Sequence, residues 1–384
     1  MCGIWGYSGN IAAELSTRAH NFLYALASWS EARGTDSTGF ACRYDSGHVI
    51  VDKLPVRATA FGLLSHKWIH LRKKMPSTLI GHTRFGTGST PIINNNNHPF
   101  LGRDYHIVHN GVIPSWRDIQ RNQQLPMQSE TDSEVILRCI EKRMEAKADL
   151  SKSVEWVLDN VWGNMAVAML EKNNPNVWLF RNDNPIWVFT VPEGIFGHSE
   201  IIFFSSTEDI FNNAWKEVFK KGPEKSGVTA QCLDDNRLFR ISTKAVKIAG
   251  SNQKHRFVVF GLNVTKKYDK SRTYSNGVVG DYHKSWSQSS LDEFFSHLPN
   301  PDSPINGCRF GTEVQNKLNA RLLDKDVEKV KVDGMTIKEY GALRAIMHEL
   351  EAIESKMLFL NEETEHPVDS VERVIDVVSQ PGFE

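Results

Sequence analysis

The chain has 384 residues, 40% of them hydrophobic, which is enough for one large domain with an extension and for a sizeable core. Its 45 Lys and Arg residues balance 46 Asp and Glu residues, and the net charge of −1 excludes the overall basic bias typical of proteins that bind nucleic acid or anionic membranes. No basic N-terminal segment leads into an apolar run, and no stretch of about 18 apolar residues occurs, so we expect no membrane span and a cytoplasmic location.

The cysteines also indicate a reducing compartment. They are five, an odd number, and they lie far apart without a CxxC pair. This pattern argues against a disulfide framework and against a zinc site, so we expect no metal. The cysteines are Cys2, Cys42, Cys139, Cys232 and Cys308.

The first predicted elements follow directly from the N-terminus. Residues 2–7 form a short apolar run typical of a buried strand, and residues 14–31 have apolar side chains at helical spacing. Gly34 is the residue expected to follow the end of that helix in a left-handed conformation. Residues 40–44 and 48–53 then predict a hairpin across an Asp-Ser-Gly turn.

The next stretch alternates helices with polar connections. We predict a strand over 78–81 that leads into a polar, glycine-rich stretch at 82–89. Thr131 and Glu134 have the spacing of a capping box at the start of a helix. Helices are predicted over 57–73, 115–123, 132–147 and 151–161.

Asparagine is concentrated at one place in this region. Residues 94–97 are four successive asparagines, which favour turns and loops because their side chains compete for backbone hydrogen bonds. A strand over 106–109 follows and runs into Asn110 and Gly111, a pair that often forms a hairpin turn.

From residue 163 onwards the pattern consists mostly of short strands. Apolar or alternating runs between turn signals predict strands over 165–170, 177–181, 186–191, 201–205, 228–233, 238–242, 245–248 and 256–260, with a helix over 208–220. Many short strands of antiparallel type mixed with helices favour an α+β architecture.

The C-terminal third differs in composition. We predict a domain over 1–262, an irregular linker or extension over 263–312, and a mostly helical extension over 313–384. Residues 336–361 have an apolar stripe at helical spacing. Such a stripe packs on its own domain or on a second copy of the chain, which would make a homo-oligomer, or it binds a partner.

Cys2 is the strongest candidate for a catalytic nucleophile. If Met1 is removed, Cys2 carries a thiol with a pKa of about 8.5 and an α-amine with a pKa of about 7.7–8.0, so the amine can act as base for its own thiol. The small Gly3 leaves room for a substrate. The alternative is that Cys2 is an ordinary small apolar residue that opens a buried strand.

Six short motifs, in their order and rough spacing, resemble the class II glutamine amidotransferase domain, an N-terminal-nucleophile glutaminase. Each motif alone is weak, but six in family order with a cysteine at position 2 are together specific, and the resemblance covers about residues 2–210. The motifs are Cys-Gly-Ile at 2–4, Arg-Gly-Thr-Asp-Ser-Thr-Gly at 33–39, Gly-His-Thr-Arg-Phe-Gly-Thr at 81–87, Asn-His-Pro at 97–99, His-Asn-Gly at 109–111 and Ser-Glu-Thr-Asp-Ser-Glu at 129–134.

The resemblance implies a four-layer αββα N-terminal-nucleophile hydrolase fold and hydrolysis of the side-chain amide of L-glutamine. Cys2 would attack the amide carbon to give a glutamyl thioester and ammonia. Asn110, through its side chain, and Gly111, through its backbone N–H, match the oxyanion hole of the family. Thiol chemistry is complete without a metal or an organic cofactor, so none is implied.

Two charged residues match the family's contacts to the backbone end of glutamine. The planar fork of Arg84 suits the carboxylate, and Asp132 suits the ammonium group. Taken alone, Arg84 could be a surface salt-bridge residue, and Asp132 could simply favour the N-terminus of its helix.

Other residues are assigned smaller roles. Thr87 and His98 are expected to line or support the pocket, and Arg33 and Asp36 to support the loop around the nucleophile. His82, His106 and His109 are expected to be structural. Gly88 departs from the family, since sugar-phosphate synthases have a histidine in that place, and Phe85 stands where they have a tryptophan.

The acceptor of the ammonia is not indicated by the sequence. No P-loop, dinucleotide fingerprint or second-domain signature of the family occurs. One hypothesis is a glutaminase that supplies ammonia to a synthase subunit in another chain. The alternatives are a γ-glutamyl amide hydrolase acting on a larger substrate, and a catalytically quiet scaffold of the same fold.

Overall fold

The computed structural model describes residues 2–86, 89–247 and 254–265, together with the short strands at 331–332 and 335–336. Backbone contacts divide the chain into the units Met1–Asn319 and Ala320–Glu384. The strands of the first unit are β1 (Gly3–Ser8), β2 (Ser37–Arg43), β3 (Val49–Leu54), β4 (Thr78–Arg84), β5 (Phe100–Leu101), β6 (Tyr105–Val112), β7 (Asn164–Glu171), β8 (Asn176–Arg181), β9 (Trp187–Val191), β10 (Ile201–Ser205), β11 (Thr229–Cys232), β12 (Arg237–Lys247) and β13 (Lys254–Gly261).

Helices connect these strands. They are α1 (Ser16–Trp29), α2 (Ala58–Leu64), α3 (His66–Leu71), α4 (Trp116–Gln123), α5 (Glu134–Glu145), α6 (Leu150–Asn160) and α7 (Glu208–Phe219), with short 3₁₀ turns at Ala13–Leu15, Ser30–Arg33, Asn94–Asn96 and Pro223–Ser226. No helix in these described stretches is long and apolar enough to cross a membrane.

The strands form two antiparallel sheets. The first sheet has seven strands in the order β11-β9-β10-β1-β4-β2-β3, and the second has six in the order β13-β12-β8-β7-β6-β5. β1 lies between β10 and β4, with Gly3 opposite Thr83 and Trp5 opposite Ser205. Every residue of β1 is buried, because both faces of this central strand are covered. The α+β class predicted from the sequence is confirmed.

Strand periodicity divides the apolar residues of the second sheet between its two faces. Val108 and Ala168 belong to a core with Ile4 and Ile80, so this face packs against the first sheet. The neighbouring residue Ile107 belongs to a different core. That core contains Val135 and Ile140 of α5 and Val154 and Val157 of α6, so these helices cover the opposite face.

The first sheet packs its other face against helices through aromatic rings. The ring of Phe22 on α1 meets Phe203 of β10 edge-on at 5.1 Å, and it meets Phe211 and Trp215 of α7 at 5.3 and 5.4 Å. Trp5 of β1 meets Trp68 of α3 at 5.7 Å. Edge-to-face pairs at such distances stabilise beyond the area that they bury.

Most predicted elements are present, but two predictions between β1 and β4 are wrong. The helix predicted over 57–73 is two helices, because Ser65 is extended and its hydroxyl caps the second through the Trp68 N–H at 3.0 Å. Gly34 has φ 174°, so it is not a left-handed helix terminator. A Cβ at Gly34 would lie 2.3 Å from the backbone carbon of Arg84, and glycine is required there for close approach.

Three further predictions are wrong at motif positions. β4 continues to Arg84 instead of ending at Gly81. Asn110 and Gly111 do not form a turn, since they lie within β6 and pair with Ala166 and Met165. The helix at 132–147 begins only at Glu134 and has no capping box, because the Glu134 carboxylate accepts hydrogen bonds from Gln128, Ser129 and Arg138.

Toward the C-terminus the two strands predicted over 238–242 and 245–248 form one strand, β12. In the second unit the described part is the antiparallel pair β14 (Lys331–Val332) and β15 (Met335–Thr336). The helix predicted over 336–361 lies outside the described residues, apart from Thr336. The domain boundaries predicted from composition therefore stay predictions.

Candidate active site

The Cys2 thiol lies at the start of β1 and faces the chain that leaves β4. The Phe85 N–H donates to Sγ at 3.4 Å, and Sγ lies 3.7 Å from the Phe85 carbonyl oxygen. Burial raises the pKa of the thiol, whereas the hydrogen bond from Phe85 and the charge of Arg84 lower it. The side chain is nonetheless partly exposed. A substrate can therefore reach a thiol whose ionisation depends on its immediate polar neighbours.

Two residues predicted to support the nucleophile contact its backbone surroundings. Arg33 Nε donates to the Cys2 carbonyl oxygen at 2.7 Å. The Asp36 N–H donates to the Arg84 carbonyl oxygen at 2.9 Å, and the Asp36 carboxylate accepts from the Gly86 N–H at 2.6 Å. These bonds hold both the start of β1 and the turn after β4, which between them surround the thiol.

The Arg84 guanidinium is buried at the end of β4 and is held from two sides. Nη1 donates to Asn97 Oδ1 at 2.9 Å, and Nη2 donates to the carbonyl and hydroxyl oxygens of Ser89 at 2.7 and 2.6 Å. Burial lowers its pKa, while Cys2, Asp36 and Asp132 act in the opposite direction. These three bonds leave two of the five N–H donors of a guanidinium for a ligand.

Asn110 presents a buried donor that nothing nearby accepts. Its Nδ2 has no hydrogen-bond partner among the described residues, although the side chain is only 1% exposed. The Asn110 backbone is fixed, since Asn184 Nδ2 donates to its carbonyl oxygen at 3.0 Å. Buried polar groups are nearly always paired, so this amide is a donor that a water molecule or a ligand can use.

Gly111 follows at a position that excludes any side chain. Its φ is 157°, and a Cβ there would lie 1.9 Å from the Asn164 carbonyl oxygen and 2.6 Å from His109 Nε2. The start of β7 and the His109 ring thus come so close to Gly111 that only glycine fits.

Asp132 is connected to the same end of β6. The Ile113 N–H donates to Asp132 Oδ2 at 2.7 Å, and Ser133 Oγ lies 3.4 Å from Oδ1. Asp132 raises the pKa of the Cys2 thiol and also that of Arg84, so its carboxylate is within electrostatic reach of both. The thiol, the guanidinium and the carboxylate are therefore parts of one site.

His98 lies in a cluster of buried imidazoles between the sheets. Its ring is 3.8 Å from that of His82 and 4.5 Å from that of Phe100. Neither ring nitrogen has a hydrogen-bond partner in the described ranges. His82 Nε2 donates to the His109 carbonyl oxygen at 2.9 Å and so connects β4 to β6. His98 follows Asn97 in sequence, and His109 precedes Asn110.

Because the imidazoles of this cluster are buried, we expect the folded protein to lose stability on mild acidification. Burial lowers the pKa of His82 to about 3, and burial also lowers the pKa of His98 and of His109. Below pH about 6.5 the unfolded chain binds protons that the folded chain cannot, so the free energy of unfolding should fall by up to about 1.4 kcal/mol per pH unit for each such histidine.

Denaturant unfolding at pH 7 and pH 5.5 measures this dependence. His98→Phe should reduce the slope of unfolding free energy against pH, because one titrating group is removed. His198→Gln, at a side chain that is 88% exposed, should leave it unchanged. An equal slope in all three proteins would contradict the prediction.

Gly3 and Thr87 are the other two residues predicted to belong to the site. Gly3 is the first residue of β1 and pairs with Thr83 of β4. Thr87 lies outside the described residues. Within those residues no group of three or more His, Cys, Asp or Glu side chains could hold a metal ion.

Sequence reasoning overlooked three contributors to the site. Phe85 contacts the thiol through its backbone, and Ser89 and Asn97 hold Arg84. A backbone contact has no sequence signal, and a serine in a polar loop has a weak one. The asparagine run was visible, but its partners are not neighbours in sequence.

Comparisons with known proteins bear on the same part of the chain. No protein-family model matches it. It is 36% identical over 186 residues to the glutamine–fructose-6-phosphate aminotransferase (isomerizing) of Chlamydia caviae, covering 47% of this chain and 28% of that protein. The enzyme of the same name from Halalkalibacterium halodurans is 26% identical over 348 residues, covering 88% of this chain and 55% of that protein.

Solved structures give weaker similarity. Glutamine phosphoribosylpyrophosphate amidotransferase from B. subtilis, complexed with ADP and GMP, has a TM-score of 0.46 at 18% identity, covering 63% of this chain and 47% of that one. A predicted glutamine amidotransferase from Pseudomonas aeruginosa has a TM-score of 0.35 at 12% identity, covering 63% of this chain and 93% of that one. The family assignment therefore depends on the sequence relatives and not on these scores.

The relatives and the six motifs agree. This chain spans about a quarter to about half of the length of the curated relatives described, 28% and 55% respectively. Similarity over that length, together with the ordered motifs, indicates common descent of this part of the chain. The chain contains a class II glutamine amidotransferase domain, homologous to the amidotransferase domains of the glutamine–fructose-6-phosphate aminotransferases.

Proposed function

We propose that the chain hydrolyses the side-chain amide of L-glutamine to glutamate and ammonia, with Cys2 as nucleophile. Two observations support this proposal: the unpaired, buried Nδ2 of Asn110 on β6, and the electrostatic grouping of a partly exposed thiol with the Arg84 guanidinium and the Asp132 carboxylate. Such a set provides a nucleophile, an oxyanion donor and a clamp for both charges of an amino acid.

The first half of the reaction forms a thioester. With residue 1 removed, the α-amine of Cys2 takes the thiol proton, and the thiolate attacks the amide carbon. The resulting oxyanion is stabilised by Asn110 Nδ2 and the Gly111 N–H. The carbon–nitrogen bond breaks as the α-ammonium returns its proton to the leaving nitrogen, and ammonia departs.

The second half releases glutamate. A water molecule attacks the thioester carbon, and the α-amine of Cys2 accepts its proton. The same two donors stabilise the second oxyanion. The carbon–sulfur bond then breaks, the thiol regains its proton, and glutamate leaves. Atoms and protons balance without a metal or an organic cofactor.

Arg84 and Asp132 determine which amide reaches the thiol. In this proposal the Arg84 guanidinium holds the α-carboxylate, and the Asp132 carboxylate holds the α-ammonium group. A fixed distance from this clamp to Cys2 selects glutamine over asparagine, which is shorter by one methylene. His98 and Thr87 support the pocket, and Arg33, Asp36 and Gly3 support the nucleophile.

The wider assignment is part of the same proposal. The helices packed on the two facing sheets support a four-layer αββα N-terminal-nucleophile fold, and we retain a domain over 1–262 with extensions over 263–312 and 313–384. We also propose a cytoplasmic location and delivery of the ammonia to a synthase subunit in another chain. The names of the relatives, which are aminotransferases, support the use of ammonia as a nitrogen donor.

Glutamate release from glutamine by the purified protein tests the central claim. An intact mass of the same sample establishes whether Cys2 carries the free α-amine. Turnover by protein with a free Cys2 amine is the expected result. A protein with a free amine that binds glutamine without hydrolysing it would favour the scaffold alternative, and turnover restricted to larger γ-glutamyl amides would favour the hydrolase alternative.

The proposed role of Arg84 in binding the α-carboxylate gives a separate prediction. Arg84→Ala should raise the KM for glutamine by about tenfold to a hundredfold, since a charge-assisted hydrogen bond contributes about 1.5–3 kcal/mol, and should change kcat much less. Steady-state kinetics separate the two constants. Arg121→Ala, on the exposed face of α4, is the matched control and should leave both unchanged.

A further inference from the structure

The run of four asparagines, residues 94–97, contacts the Arg84 guanidinium through Asn97. Asn97 is fully buried, and its Oδ1 accepts from Arg84 while its Nδ2 donates to the Pro91 carbonyl oxygen at 2.7 Å. These two partners assign the amide orientation, because a flipped amide would place NH₂ against the guanidinium and the amide oxygen against a carbonyl. The Asn97 side chain therefore offers Arg84 a fixed acceptor.

The Asn97 backbone is held as well. Lys53 Nζ donates to its carbonyl oxygen at 2.7 Å and to that of Pro99 at 3.1 Å. Asn94 Nδ2 donates to the Lys53 carbonyl oxygen at 2.8 Å. The run is thus anchored on β3, the edge strand of the same sheet in which β4 ends at Arg84.

Asn96 connects the run to the other half of the clamp. Its Oδ1 accepts from the Glu130 N–H at 2.9 Å, and its carbonyl oxygen accepts from Thr131 Oγ1 at 3.1 Å. Ser89 Oγ, which accepts from Arg84, also lies 2.9 Å from Thr131 Oγ1. Two hydrogen-bonded paths therefore join Arg84 to Thr131, the residue directly before Asp132.

We propose that Asn96, Asn97 and Ser89 are positioning residues that set the separation of Arg84 from Asp132 and so select substrates with an α-carboxylate and an α-ammonium on one carbon. The inference rests on the proposed function of that clamp. The two groups of an α-amino acid have a fixed spacing, so a clamp without rigid support would bind glutamine and simpler amides with less discrimination.

Two alkylating reagents separate positioning from general structure. The diazoketone 6-diazo-5-oxo-L-norleucine carries the α-groups of glutamine, and its diazo carbon takes the proton of the thiol and forms a carbon–sulfur bond as nitrogen gas leaves. Iodoacetamide alkylates the same thiol by forming a carbon–sulfur bond as iodide leaves and the thiol proton is released to solvent, and it needs no clamp. Mass spectrometry of the Cys2 peptide measures both rates in the full chain.

Asn97→Ala should slow labelling by the diazoketone at subsaturating concentration by about tenfold, the loss expected for one charge-assisted hydrogen bond. Labelling by iodoacetamide should stay within about twofold of the wild-type rate. Ser89→Ala, a smaller change, should show the same pattern more weakly. Asn160→Ala, an exposed residue of α6, is the matched control and should change neither rate.

The outcomes separate this inference from the proposed function. Equal slowing of both reagents by Asn97→Ala and by Ser89→Ala would show a merely structural role and overturn the inference. Unchanged diazoketone labelling in both variants would also overturn it while leaving the proposed function intact. A wild-type protein alkylated at Cys2 by iodoacetamide but not by the diazoketone would overturn the proposed function and, with it, this inference.

Discussion

Replacing Cys2 with alanine should abolish glutamate release from glutamine. No other group in the described site can form the thioester, and without it the amide faces only water and the oxyanion donors. The loss should reach at least about 10³-fold, as for removal of the nucleophile in comparable sites. A coupled assay for glutamate, run beside the wild-type protein, measures it.

Cys232→Ala is the matched control for this experiment. Cys232 is exposed on the edge strand β11, so its removal should leave turnover unchanged. Burial raises the pKa of Cys42 and of Cys139 to about 12, so neither thiol ionises near neutral pH. Undiminished turnover in Cys2→Ala would show that a different residue performs the chemistry.

Replacing Asn110 with alanine should lower kcat by about 10²–10³-fold with little change in KM. The expected loss of about 2.7–4 kcal/mol is that of one oxyanion-hole donor, which acts on charge that develops only in the transition state. Because Nδ2 has no partner among the described residues, its removal breaks no hydrogen bond within that part of the protein. Steady-state kinetics and thermal unfolding of the same variant give both quantities.

Two outcomes would contradict this prediction. A fall in kcat of less than tenfold would remove Asn110 from the oxyanion hole. A large rise in KM at constant kcat would assign it to ground-state binding instead. Asn160→Ala, which removes only a surface bond to the Trp156 carbonyl oxygen, controls for asparagine replacement and should leave kcat and KM unchanged.

Local pattern was sufficient for the fold class and for most elements. The buried run at the start of the chain, the helix before residue 30 and the hairpin around residues 40–53 are confirmed as β1, α1 and the pair β2–β3. These elements are encoded by spacing of apolar residues and by turn chemistry, which act between near neighbours in sequence. The ordered motifs likewise identified the family from local sequence alone.

Contacts between distant residues decided what local pattern could not. Asn110 and Gly111 have the chemistry of a turn, yet pairing with β7 keeps them in a strand. Glu134 has the spacing of a capping box, yet Arg138 and the loop before the helix engage its carboxylate. The strand that pairs with Asn110 and Gly111 is distant in sequence, whereas the partners of Glu134 lie within six residues of it. In both places the hydrogen bonds that form differ from those that the motif spacing favours.

The sequence by itself determined the residue types of the site: a cysteine at position 2, an arginine after a strand, an Asn-Gly pair and an aspartate before a helix. Only the tertiary structure decided how they are held. Arg84 depends on Asn97 and Ser89, and the backbone beside the thiol depends on Gly34. The reason is physical: hydrogen-bond acceptors and close backbone approaches come from segments whose proximity is created by packing, so their roles are absent from any single stretch of sequence.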